Sequence, residues 1–147
     1  MPAKPPQPVL PELSPNEALL DFLRAQAVPP DGPGDHALGK WQLHTHPDLC
    51  DRLADLAPRH PLHTAYGVPV LAHEGIAAAV ALGTDRLLVR LPKLPHNIAA
   101  GAPMPPLTDQ GWQSVDPWLS ELPSAEGVRR LCGLIGGALA HARSFIA

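Results

Sequence analysis

The 147 residues are 45% apolar and 17% charged, and carry a net charge of −3. That balance suits one globular domain with its own core and excludes an intrinsically disordered chain. An acidic net charge gives no general basic field for nucleic acid, and no apolar run reaches the roughly 18 residues that a membrane span needs.

Of the twenty prolines, most cluster at 2–15, 29–33 and 92–106, which read as tail and loops. Residues 1–13 read as a proline-rich disordered tail and residues 14–147 as a single domain. The start, MPAKPPQPVLPEL, lacks a hydrophobic segment of the signal-peptide type, so the expected location is cytoplasmic. Ser14-Pro15-Asn16-Glu17 reads as a helix start, with Ser14 as cap, Pro15 at the first helical position and Glu17 completing a capping box. Leu19, Leu20 and Leu23, with Phe22 beside them, give this helix an apolar stripe to about Gln26. Pro29 to Gly39 reads as a loop. Lys40 to Thr45 alternates, with Trp41 and Leu43 on one face, and reads as a strand. Pro47 opens a second helix to about Ala57, lined by Leu49, Leu53 and Leu56. The loop RHPLH follows.

Tyr66 to Pro92, YGVPVLAHEGIAAAVALGTDRLLVRLP, is the organising stretch. It reads as three strands joined by tight turns. Pro69 cannot donate a ladder hydrogen bond, which predicts an edge strand or a bulge. Ile76 to Leu82 carries four alanines, which favour helix, but it is short and bounded by Gly75 and Gly83. A run that is apolar on both faces predicts a central strand covered on both sides. Arg86 to Leu91 alternates, with Arg86, Leu88 and Arg90 on one face. A short helical turn is expected near 96–100 and a last strand at Trp112 to Val115. Ser124 caps a final helix to about Phe145, with Val128, Leu131, Ile135, Leu139 and Ala142 as its core stripe. Gly133 and Gly137 fall opposite that stripe, a smooth face that a second copy can approach in a homodimer. Cys50 and Cys132 fall in separate predicted helices and read as reduced, buried thiols. The fold class is α+β: an antiparallel β-meander with N-terminal and C-terminal helices packed on one sheet.

Tyr66-Gly67-Val68-Pro69-Val70, then Arg86-Leu87-Leu88-Val89-Arg90-Leu91-Pro92, then Gly111-Trp112-Gln113-Ser114-Val115, come in an order that resembles the YjbR-like small domains. The related N-terminal domain of the TfoX competence regulators shows the same order. The resemblance covers residues 60–145. It implies a compact α+β fold with no known catalytic constellation, and a regulatory role through partners; some members are labelled DNA-binding.

His44-Thr45-His46-Pro47 is the sharpest chemical motif. Two histidines two apart on a strand point the same way and can grip one zinc ion, with His60 or His63 as third ligand and water in the open position. H-x-H-P also resembles part of the signature of the JAMM zinc isopeptidases. Arg52 stands where that family has serine, and Glu12 and Glu17 do not follow a predicted strand. His73-Glu74 does not extend to H-E-x-x-H, because Ala77 takes the second histidine's place, and neither a G-x-S-x-G elbow nor a phosphate loop is present. Arg86 and Arg90, with Lys93 beyond, form a candidate basic strip for an anion or nucleic acid; a solvated strand face is the plainer reading. Trp41, Trp112 and Trp118 read as core or groove-lining residues.

The leading expectation is therefore a non-enzymatic binding or regulatory module of YjbR/TfoX-like fold, acting through protein–protein contact or as a homodimer, with no cofactor. The alternatives are a small zinc hydrolase built on His44 and His46 and, behind it, a DNA-binding protein.

Overall fold

A computed structural model of the chain describes residues 8–29, 37–38, 41–43, 45, 47–83, 86–95, 98, 101, 107–115 and 123–145. Helix α1 (Glu17–Gln26) is followed by the short strands β1 (Ala37–Leu38) and β2 (Trp41–Gln42), then helix α2 (Pro47–Leu56). Strands β3 (Leu62–Ala65), β4 (Val68–His73), β5 (Ile76–Leu82), β6 (Arg86–Arg90) and β7 (Trp112–Val115) come next, and helix α3 (Ala125–Ala142) closes the order. The five strands β3 to β7 make one antiparallel sheet in sequence order, and β1 pairs with β2 in a separate ribbon. The expected α+β meander is present: three strands in its central stretch, the expected last strand at Trp112–Val115, and one strand more. The addition, β3, starts inside the loop RHPLH. Likewise β1 falls in the expected 29–39 loop. The turn expected near 96–100 lies mostly outside the described residues.

The sheet is covered on both faces. Helices α2 and α3 pack on one side, where Leu49, Leu53, Leu131, Leu134, Ile135 and Ala138 meet Leu71, Leu87 and Val89. Helix α1 packs on the other with Leu10 and Leu107, against Val68, Val70, Val80, Leu88 and Trp112. Strand β5 is buried along its whole length, which is why its alanines form a strand despite their helical preference. Its register shifts once: Leu71 faces Ala79 but Ala72 faces Ala77, so Ala78 is an extra residue. This bulge turns both Ala78 and Ala79 toward the α3 side.

The Pro69 strand, expected to be an edge or to carry a bulge, is an interior strand, and the extra residue of the ladder lies in its partner β5. A proline survives in β4 because of where the missing donor falls. Thr64, opposite Pro69, directs its N–H to Pro8 O (2.8 Å) and accepts from Leu10 N–H (2.9 Å), both away from β4. The Thr64–Pro69 pair is therefore not hydrogen-bonded, and the proline nitrogen faces β5. The β4–β5 ladder starts one step later, at Val70 and Val80. The Ala81 carbonyl next along accepts instead from the buried Thr45 hydroxyl at 2.7 Å. A side chain thus supplies the hydrogen bond that proline withholds.

Two hairpin turns share one geometry. Tyr66 (φ 49°) and Gly67 (φ 83°) join β3 to β4, and Glu74 (φ 49°) and Gly75 (φ 84°) join β4 to β5. Positive φ at both central residues marks a type I′ turn, which suits the twist of the strands. At Gly67 the requirement is double, since a Cβ there would lie 2.0 Å from Gln42 O.

Helix α1 is entered through a 3-10 turn, Ser14–Asn16, and neither Ser14 nor Asn16 caps it with its side chain. The capping box expected of Ser14 and Glu17 does not form, because the turn places Asn16 at the helix start and points its amide inward. Asn16 is fully buried. Its Nδ2 donates to Pro11 O (2.9 Å) and Gly75 O (2.8 Å), and its Oδ1 accepts from Ala77 N–H (2.9 Å). One amide thus ties the chain before α1 to the β4–β5 hairpin. At the other end of the protein, Ser124 caps α3 as expected, accepting from Gly127 N–H at 2.8 Å. The core stripe of α3 is buried as expected apart from half-buried Val128, and Gly133, Gly136 and Gly137 face outward. No helix among the described residues is long and apolar enough to cross a membrane.

Asn16→Ala strands two part-buried carbonyls and a buried N–H, and is expected to lower unfolding stability by about 2 kcal/mol in urea denaturation. Gly133→Ala and Gly136→Ala act in the opposite direction. No atom lies within 4 Å of a Cβ built at either position, so each is expected to raise stability by about 0.5–1 kcal/mol in the same measurement.

Candidate functional site

The first hairpin turn carries Tyr66 out beside the β1–β2 ribbon. Trp41 meets the Tyr66 ring edge to face, with centroids 5.4 Å apart and planes at 61°. The ribbon is held by its backbone: Gln42 N–H donates to Val28 O (2.6 Å), and the bare Cα of Gly67 lets Gln42 approach. Between these aromatic rings, α1 and the segment at residues 8–12 lies a recess of about 410 Å³. Trp41, Tyr66, Leu10, Leu20, Val9 and Ala65 supply its apolar walls, and Glu12 and Thr64 its polar edge. The outer wall is an extended strip. Residues 8–10 pair in parallel along the free edge of β3, with Leu10 buried and Val9 75% exposed.

Arg24 from α1 braces the rim. Its Nε donates to Tyr66 Oη at 3.0 Å, and its guanidinium carbon lies 5.7 Å from the Tyr66 ring centroid. Asp21 at 3.5 Å and Glu12 at 3.9 Å flank it. The Tyr66 hydrogen bond, with the Asp21 and Glu12 carboxylates behind it, holds Arg24 more firmly protonated than usual. Tyr66 itself sits at positive φ, a conformation that disfavours bulky residues and that its contacts with Trp41 and Arg24 hold in place. The arrangement offers an apolar pocket of side-chain size with Glu12 at its edge and Arg24 bonded to the hydroxyl of its Tyr66 wall.

The residues singled out in the sequence are scattered. His44 and His46 lie outside the described residues, as does Trp118. Thr45 between the two histidines is buried against Ala81. His60 and His63 stand on opposite faces of the sheet. His60 lies against His73 with ring centroids 6.0 Å apart and planes tilted at 49°, and His73 pairs with Ile76 of the α3-side core. His63 instead pairs with Val70 of the α1-side core. Among the described residues no three His, Cys, Asp or Glu side chains converge to hold a metal. Arg86 is half-buried and Arg90 only 5% exposed, so their strand face is not solvated: α1 and the preceding turn cover it. Cys50 is half-buried and Cys132 is exposed rather than buried; both are free thiols. Sequence reading gave Trp41 as core or groove-lining, weighed Glu12 only as an upstream glutamate for the H-x-H-P motif, and gave no role to Arg24. The Tyr-Gly turn dipeptide is the one local signal that an aromatic ring is thrown outward here.

Comparison with protein-family models, with curated proteins and with solved structures finds no match to this chain.

Burial pushes the Cys50 thiol up, reinforced by the Asp51 charge. With less thiolate at mildly alkaline pH and less exposure, Cys50 is expected to react with a disulfide reagent about tenfold or more slowly than Cys132. Stopped-flow absorbance, with Cys50→Ser and Cys132→Ser assigning the phases, reads this directly.

Proposed function

We propose that this chain is a binding module of YjbR/TfoX-like fold, with no reaction of its own, that takes an apolar side chain of an extended protein segment into the Trp41–Tyr66 recess. The carrying observation is the recess itself, apolar within and charged at the mouth, beside an extended strip whose Val9 side chain faces solvent. A segment laid along that strip has backbone to pair with and a pocket for one anchoring residue, the combination that strand-addition recognition uses. Arg24 and Glu12 give its polar groups one partner of each sign. The uninterrupted antiparallel order of β3 to β7 agrees with the order of motifs on which the family resemblance rests. The described residues add no observation in favour of the zinc-hydrolase or DNA-contact alternatives.

The test is fluorescence anisotropy with labelled nine-residue peptides from a library that varies the central apolar residue. Selected peptides are expected to bind saturably. Tyr66→Ala or Arg24→Ala should weaken them about tenfold, ~1.4 kcal/mol, while Gly133→Ala on the far face changes nothing. No saturable peptide, or binding indifferent to both pocket substitutions, overturns the reading.

A further inference from the structure

Arg90 presents a separate problem at the other end of the sheet. An arginine on a solvated strand keeps its head group in water. This one ends β6 on the face turned toward α1 and is 5% exposed. Its Nη2 donates to Pro15 O, while Nε and Nη1 have no acceptor. The guanidinium carbon lies 5.2 Å from the Trp112 ring centroid and 4.6 Å from that of Phe145. Aromatic faces attract a cation, but they satisfy few of its five N–H donors.

The surroundings deepen the deficit. Trp112 is the cross-strand partner of Arg90, and Ser114 lies two residues along the same face of β7. Trp112 Nε1 and Ser114 Oγ are also buried without a partner. Three neighbouring side chains thus hold unused donors. Among the described residues no carboxylate pairs with Arg90, and burial alone acts on its pKa, pulling it down. A buried cation without a counter-charge is among the costliest arrangements in a protein, and a methionine of similar volume would avoid the cost. What the set lacks is a ligand made of acceptors.

We propose that Arg90, Trp112 Nε1 and Ser114 Oγ form a binding site for a small oxyanion, a carboxylate or a phosphate, beneath the Phe145 ring. Two guanidinium nitrogens and the Ser114 hydroxyl donate to its oxygens, and the indole N–H adds a further donor. Phe145 is the cover. It is 41% exposed and sits on the single 3-10 turn Arg143–Phe145 after α3, touching His141 edge to face at 5.3 Å. One turn with an exposed outer side can lift without disturbing the sheet. This site is distant in the sheet order from the β3–β4 recess and does not depend on how that recess is used.

Thermal unfolding of the full chain tests the site, with sodium phosphate and sodium acetate each compared with sodium chloride at matched ionic strength. At least one oxyanion is expected to raise Tm saturably, by about 3–6 °C at ten times its half-saturating concentration. Which of the two does so separates the phosphate and carboxylate forms of the site. Arg90→Met removes the response, and Phe145→Ala retains it. Should Arg90→Met not fold, the Arg90 Nε–H and Trp112 Nε1–H cross-peaks of the wild-type protein serve instead. They are expected to move together and saturably with the oxyanion and not with chloride. No saturable Tm rise over chloride with stationary cross-peaks, or an undiminished rise in Arg90→Met, overturns the site.

Discussion

A strand buried on both faces must satisfy every backbone group from inside the protein. Strand β5 sets that demand here, and much of the structure answers it. Its neighbours β4 and β6 take most of its hydrogen bonds. Where Pro69 withholds one, Thr45 supplies it from the chain just before α2, so a ladder defect also pins a helix start. Where the bulge disturbs the ladder, Asn16 takes the Ala77 N–H and draws the entry to α1 against the opposite face. The two layers of helix are thus registered on the sheet by polar contacts as well as by apolar packing. Unmatched donors this deep are costly, which leaves few other placements open.

The same hairpin chemistry serves two ends. Both tight turns put a non-glycine residue at positive φ before a glycine, yet Glu74 is exposed while Tyr66 is gripped by Trp41 and Arg24. The difference lies in what each turn abuts. The β4–β5 turn rests on Pro11 and Leu13; the β3–β4 turn runs against the β1–β2 ribbon. A ribbon of two short pairs has little stability alone. Its closeness to Gly67 gives it a place, and the recess is the space left between ribbon, turn and helix.

Much of the fold was legible from residue pattern. Alternation at Arg86–Leu91, the doubly apolar run at Ile76–Leu82 and the helical stripe ending at Ala142 each report a local periodicity that the structure keeps. What pattern could not convey is which side of a strand meets water. Arg86, Leu88 and Arg90 do share a face, but charge suggested a wet one, and α1 covers it. Strand β3 escaped notice because His63 and Thr64 follow two prolines and carry no apolar alternation. Two of the three hydrogen bonds of Asn16 reach about sixty residues along the sequence, and the surrounding Ser-Pro-Asn-Glu read only as a helix start. The pocket was illegible for the same reason: Glu12, Arg24, Trp41 and Tyr66 converge only through tertiary structure. The histidine pair at 44 and 46 falls outside the described residues.

Residues 8–10 join the sheet through one parallel bridge, whose two backbone hydrogen bonds both go to Thr64. Contacts between such remote parts of a chain carry a large loop-closure cost, so they form once the local hairpins exist. The segment is held further by the buried Leu10 side chain and, just after it, by the Asn16 Nδ2–Pro11 O hydrogen bond. The outer wall of the recess is therefore a local attachment that can open without unfolding the sheet. A segment bound as proposed lies directly on that wall, so its affinity carries the docking equilibrium of residues 8–10 as well as its own contacts.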